Sequence, residues 1–111
     1  MAEPTLQEVF GANATQDVNS ITIDKSDLVA LGLTADANNS AESLVVAISL
    51  LIKNGLTQAN FDTNLDQSIY VDDGFPNFAF RGENNEQYRV DQITINFAKL
   101  DTAGVIDPDD Y

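Results

Sequence analysis

The chain has no cysteine and no histidine, and only 5 of its 111 residues are basic. Without cysteine, neither a disulfide framework nor a thiolate metal site can form. Without histidine, the commonest general base, the commonest transition-metal ligand and the usual pH switch are missing. The 5 Lys and Arg stand against 18 Asp and Glu, a formal net charge of -13. A surface of that sign repels nucleic acid and anionic membranes and favours solubility. Long hydrophobic runs are lacking too. The longest, Leu44 to Ile52, is broken by Ser49 and falls far short of the roughly 20 residues a bilayer span needs. Met1-Ala2-Glu3-Pro4 offers neither a basic n-region nor an apolar h-region, so the expected location is a cytoplasm or a particle assembled there.

Catalytic groupings are equally sparse. The 6 glycines lie far apart, as turn and cap residues rather than a phosphate-cradling loop. Serine and threonine have only Lys25, Lys53 and Lys99 as lysine bases, none in a Ser-x-x-Lys arrangement. Asp72-Asp73 and Asp107, Asp109 and Asp110 are carboxylates without a partner base or a ligand spacing. Arg81 and Arg89 near Phe78, Phe80 and Tyr88 imitate a base-stacking face, but Glu83, Glu86 and Asp91 surround them. These absences point to a non-enzymatic protein with no direct contact to nucleic acid.

What is present suits a single globular domain. The hydrophobic fraction is 43%, close to that of ordinary folded proteins. Thr5-Leu6-Gln7-Glu8 reads as a capping box opening a helical turn that ends at Gly11. Gly11 to Val18 reads as loop, Ile21 and Ile23 as a short strand, and Leu28 to Leu31 as a second brief helix. The strongest signal follows: Ser40 as N-cap, then a helix through Ile52 closed by Lys53-Asn54-Gly55. That helix is apolar almost all round, so it must be covered on more than one side, by the rest of the chain or by another subunit. Thr57 to Asn64 is a short connector. Strands are expected at Ser68–Asp72, at Asn77–Arg81 and from Gln87 to Leu100, the last with a one-residue phase slip at Asp91-Gln92 that reads as a β-bulge. The expected fold is α+β, one central apolar helix on an antiparallel meander of three to four strands. Residues 1–18 would form an N-terminal arm, 19–100 the core and 101–111 an extended C-terminal arm.

Two patterns invite function. From Asp62 the chain resembles the twelve-residue calcium loop of EF-hands, with side-chain oxygens at Asp62, Asn64 and Asp66, a backbone ligand at Ser68 and a closing carboxylate at Asp73. It departs at the sixth position, where Gln67 replaces the glycine of the sharp turn, and at the twelfth, where Asp73 is one methylene shorter than glutamate. A polar turn leading into a strand accounts for the same residues. The second pattern is the apolar helix, with Val46 and Leu50 on it, together with the strand bearing Phe78 and Phe80, as a contact surface for other protein subunits.

Ala12-Asn13-Ala14-Thr15, Thr34-Ala35-Asp36-Ala37-Asn38-Asn39 and the acidic end Ile106-Asp107-Pro108-Asp109-Asp110-Tyr111 give the chain the texture of small virion proteins of tailed phages. It resembles the capsid-decoration and head–tail or baseplate accessory proteins. That resemblance implies a structural role through subunit contacts and assigns no individual residue. The alternatives are an acidic binding module, mimicking nucleic acid or serving a basic protein, and a calcium-dependent module built on Asp62–Asp73.

Overall fold

A computed structural model of the chain describes residues 2–100 and 104–111. Helix α1, Leu6–Phe10, starts where Thr5 Oγ1 accepts the Glu8 amide at 3.1 Å. Gly11 then closes it at a φ of 104°, a value that favours glycine. Strands β1 (Thr15–Gln16) and β2 (Ile21–Thr22) pair antiparallel, so the span expected to be pure loop supplies one strand of a hairpin. Asp17 holds the hairpin's turn, its Oδ1 accepting the amides of Asn19 at 2.8 Å and Ser20 at 2.9 Å. Helix α2 spans Ser26–Val29. It lies two residues earlier than expected because Asp24 accepts the Ser26 amide and so opens the turn upstream.

Helix α3, Ala41–Gly55, is capped as expected by Ser40, whose hydroxyl accepts the Ser43 amide at 3.1 Å. Two stripes run along it. Leu44, Ala47, Ile48 and Leu51 follow an i, i+3, i+4, i+7 spacing and pack with Leu28 and Leu33. At the C-terminal end Ile52 and Leu56 join Val9 and Val71 in a second cluster. The other stripe, Val45, Val46, Ser49 and Leu50, is not part of either cluster, and Val45 and Val46 are 62% and 60% exposed. The chain thus covers α3 against α2 and, at its C-terminal end, against α1 and β3, and leaves this stripe open.

The chain breaks at Leu56 (φ -126°, ψ 65°), and Thr57 caps helix α4, Gln58–Thr63, where a short connector was expected. The whole stretch Ala41–Thr63 is long and apolar enough to cross a membrane by length and composition. The break at Leu56–Thr57 divides it, and α3 alone has 15 residues, about 22 Å of helix against a hydrocarbon core of about 30 Å.

The fold is α+β as expected, and the strands of the second half are antiparallel, but they pair as a nested β-ribbon instead of in meander order. Strand β3 (Ile69–Asp73) pairs with β6 (Ile93–Phe97), while β4 (Asn77–Arg81) pairs with β5 (Glu86–Val90). The β4–β5 hairpin is thus nested inside the β3–β6 pair, as the far end of one long hairpin. The expected single strand from Gln87 to Leu100 is two strands, and the interruption falls at Asp91-Gln92, where the phase slip lies. Three residues, Gly74-Phe75-Pro76, stand opposite those two, and the Gly74 amide donates to the Gln92 carbonyl at 2.9 Å across the break. A Cβ at Gly74 would come within 2.7 Å of the Gln92 Cβ, which is why glycine sits there. One face of β3–β6 packs through Val71, Ile69 and Ile93 into the second cluster. The opposite face carries Tyr70, stacked on Phe61 of α4 with centroids 4.7 Å apart. It also carries Asp72, whose carboxylate accepts from both Thr94 Oγ1 and Asn96 Nδ2.

The C-terminal segment is not wholly extended. Asp107 caps a 3₁₀ turn, Pro108–Asp110. Lys99 donates to Asp110 at 3.0 Å, and the Tyr111 ring lies 5.7 Å from that of Phe97. Residues 101–103, the start of the expected arm, lie outside the described residues. The molecule measures 51 × 36 × 27 Å with a radius of gyration of 16.7 Å, against about 13 Å for a compact domain of this length.

Candidate functional site

Because β4–β5 continues beyond the core, the ribbon diverges from α3 and leaves a groove of about 750 Å³. One wall is the uncovered stripe of α3: Val45, Val46, Ser49 and Leu50. The other is the ribbon at its break, with Pro76 and Ile93 as apolar lining and Asp73, Arg89 and Asp91 at the rim. Both carboxylates at that rim are matched: Lys53 Nζ lies 2.7 Å from Asp73, and Arg89 Nε 2.8 Å from Asp91. Ser49 is the only hydroxyl among the lining residues, and Lys53 is committed to Asp73, so no nucleophile and base are paired in the groove.

The register extends this surface outward. Phe78 stands opposite Arg89 and Phe80 opposite Gln87, and cross-strand partners share a face. Arg89 lines the groove, so the Phe78–Phe80 face is the groove side of the ribbon. The two rings are 59% and 67% exposed. On the opposite face Tyr88 lies beneath Arg81, whose guanidinium carbon is 5.1 Å from the ring centroid. Of the four residues read from the sequence as contacts, Val46 and Leu50 line the groove, while Phe78 and Phe80 lie outside its lining, farther along the ribbon on the face that bears Arg89. Val45, Pro76 and Arg89 belong to the groove as well. Val45 lies on the apolar helix already marked as a contact surface, and the hint of Pro76 and Arg89 in the sequence is the Gly74-Phe75-Pro76 interruption opposite the phase slip.

The calcium pattern is dispersed. Asp62 lies in the last turn of α4, and Asp73 is 11 residues on, at the far end of β3 against Lys53. Asn64 is buried, its Nδ2 donating to the Ala2 carbonyl at 2.9 Å and its Oδ1 accepting the Asp66 amide at 3.0 Å. Ser68 offers its carbonyl to the Ala98 amide, and Asp66 is exposed in the turn. Gln67, where an EF-hand needs glycine, is buried and holds the loop: Nε2 donates to the carbonyls of Thr57 at 3.1 Å and Ile69 at 2.8 Å, and Oε1 accepts from Asn60 Nδ2. Among the described residues no group of three or more acidic side chains converges on a metal-sized site.

The displaced pKa values belong to turns away from the groove. The Asn19 and Ser20 amides hold the Asp17 carboxyl below its ordinary value. The Ser26 hydroxyl and amide do the same for Asp24. The Asp110 carboxylate raises the Lys99 ammonium.

Comparison with protein families, curated proteins and solved structures returns no match for this chain.

Proposed function

We propose that this protein is a non-enzymatic structural subunit that acts by binding other protein subunits through the groove between α3 and the ribbon. The loop texture it shares with small tailed-phage virion proteins favours a particle component of the decoration or tail-accessory type. The observation that carries the assembly reading is the apolar stripe Val45–Val46–Leu50, left open beside an aromatic hairpin face. The chain exposes 8332 Å², where a folded monomer of this size exposes about 6,000 Å². That excess of roughly 2,300 Å² is the kind of surface an assembly buries.

The test is the absolute mass in solution by light scattering at low micromolar concentration, for the native chain and for Val46→Asp. Val46 is mostly exposed, so the variant should keep the native circular-dichroism spectrum. Placing a carboxylate in an apolar contact should weaken association roughly 100-fold or more. A native chain that stays monomeric would overturn the reading and pass the role to the acidic surface.

A further inference from the structure

We propose that the groove is filled by the β4–β5 hairpin of a second copy of this chain, in a reciprocal two-fold exchange. Each hairpin lays its Phe78–Phe80 face on the open stripe of the other copy's α3. This rests on the assembly reading above and commits it to one occupant.

Within its own chain the hairpin packs chiefly on itself: β4 and β5 contact each other, and neither has a substantial contact with a helix or with β3–β6. A two-stranded hairpin is marginal alone in water and gains order by packing on another surface. This one carries exposed aromatics on both faces, Phe78 and Phe80 on one and Tyr88 on the other. The open stripe of α3 is its chemical counterpart, aliphatic where the hairpin is aromatic. The spacings also match: Phe78 to Phe80 spans about 7 Å along the strand, and Val46 to Leu50 about 6 Å along the helix.

Charge sets the condition that a second copy must meet. Copies that each carry -13 repel one another unless the contact itself is free of unmatched carboxylates. The hairpin face on the groove side displays Phe78, Phe80, Gln87 and Arg89 and no acid. The groove's own Asp73 and Asp91 are neutralised by Lys53 and Arg89. A hairpin face without acids and a groove whose two carboxylates are paired, left apart within the chain, are complementary in the sense a two-fold interface requires. The excess exposed area exceeds the approximately 800 Å² per partner of a standard interface.

The absence of cysteine makes the test direct. Chains carrying only Val46→Cys and chains carrying only Phe78→Cys, distinguishable by a mass tag, are oxidised alone and after co-expression. A second set uses Phe80→Cys in place of Phe78→Cys. All three positions are exposed, so folding is not at stake, and circular dichroism checks it. Exchange predicts a helix-to-hairpin disulfide between unlike chains, in yield at least about 10-fold above the like-chain products, since bridging needs Cα atoms within about 7 Å. A multimer in which neither set gives the mixed product above the like-chain level overturns the exchange and leaves the assembly reading standing. A monomer overturns both.

Discussion

Gln67 occupies the position at which a calcium loop turns on glycine, and its burial gives the loop a different purpose. Its amide bridges two backbone carbonyls and the Asn60 side chain, so Gln67→Ala leaves several buried groups without partners. The expected loss is about 2–3 kcal/mol, read as a lower urea midpoint. Gln67→Gly should be destabilised as well and should show no calcium-dependent shift in melting, because Asp73 stays with Lys53 on the far end of β3. Gly55 is a second such residue. A Cβ there would overlap the Glu8 carbonyl oxygen and lie 2.9 Å from Val9 Cα, so Gly55→Ala should cost about 1–3 kcal/mol by forcing α1 off α3. The sequence marks Gly55 correctly as the end of the helix, but not the close approach, which depends on a segment more than 40 residues away. In the same way the alternation of oxygen ligands at 62, 64 and 66 is visible in the sequence. The burial of Asn64 and Gln67 is not, because it is set by carbonyls contributed from elsewhere in the fold. The turn carboxylates supply a pH prediction. Asp17 and Asp24 have folded pKa values below the ordinary one. Their contribution to stability is therefore present above the ordinary carboxylate pKa and lost as pH falls through the lowered folded value. A carboxyl-carbon NMR titration should place both below the ordinary Asp range. The amide resonances of Asn19, Ser20 and Ser26 should move with them.

At the scale of elements, α3 was the most legible part because its signals are local: a serine cap, an acidic first turn and a lysine in the last. What cannot be read from its composition is which apolar stripe the chain covers. Leu44, Ala47, Ile48 and Leu51 resemble Val45, Val46 and Leu50 in kind, and only the placement of α2 distinguishes them. The ribbon follows the same logic. Alternation marks out each strand, and the slip at Asp91-Gln92 marks the break, but the pairing of β3 with β6 is a non-local choice. Three residues opposite two at Gly74–Pro76 let the chain change phase there and carry β4–β5 clear of the core. These elements should therefore answer differently to substitution. The double change Phe78→Ser and Phe80→Ser removes exposed rings, so unfolding of the isolated subunit should shift by no more than about 0.5 kcal/mol, while association is lost. Leu28→Ala, at the one fully buried large side chain among the described residues, should cost about 2–5 kcal/mol. Chemical denaturation of a monomeric background such as Val46→Asp separates the two effects.

For the whole molecule, the size of the charge distinguishes the competing roles. A chain of -13 that meets copies of itself does so against long-range repulsion, and its contact surface is apolar with matched ion pairs. Salt shortens the reach of that repulsion, from a Debye length of about 30 Å at 0.01 M to about 3 Å at 1 M. It leaves apolar burial intact. Self-association should therefore tighten several-fold as sodium chloride rises from about 20 mM to about 500 mM, measured by sedimentation at fixed protein concentration. An acidic module built to hold a basic protein must do the reverse, because its affinity comes from attraction across the gap and weakens as salt screens it. The isolated exposed pairs Arg89–Asp91 and Lys53–Asp73 contribute little on their own, so screening them does not offset the gain. Tightening with salt that disappears in Val46→Asp would tie the association to the α3 stripe. Loosening with salt would move the function to the carboxylates that cover the rest of the surface.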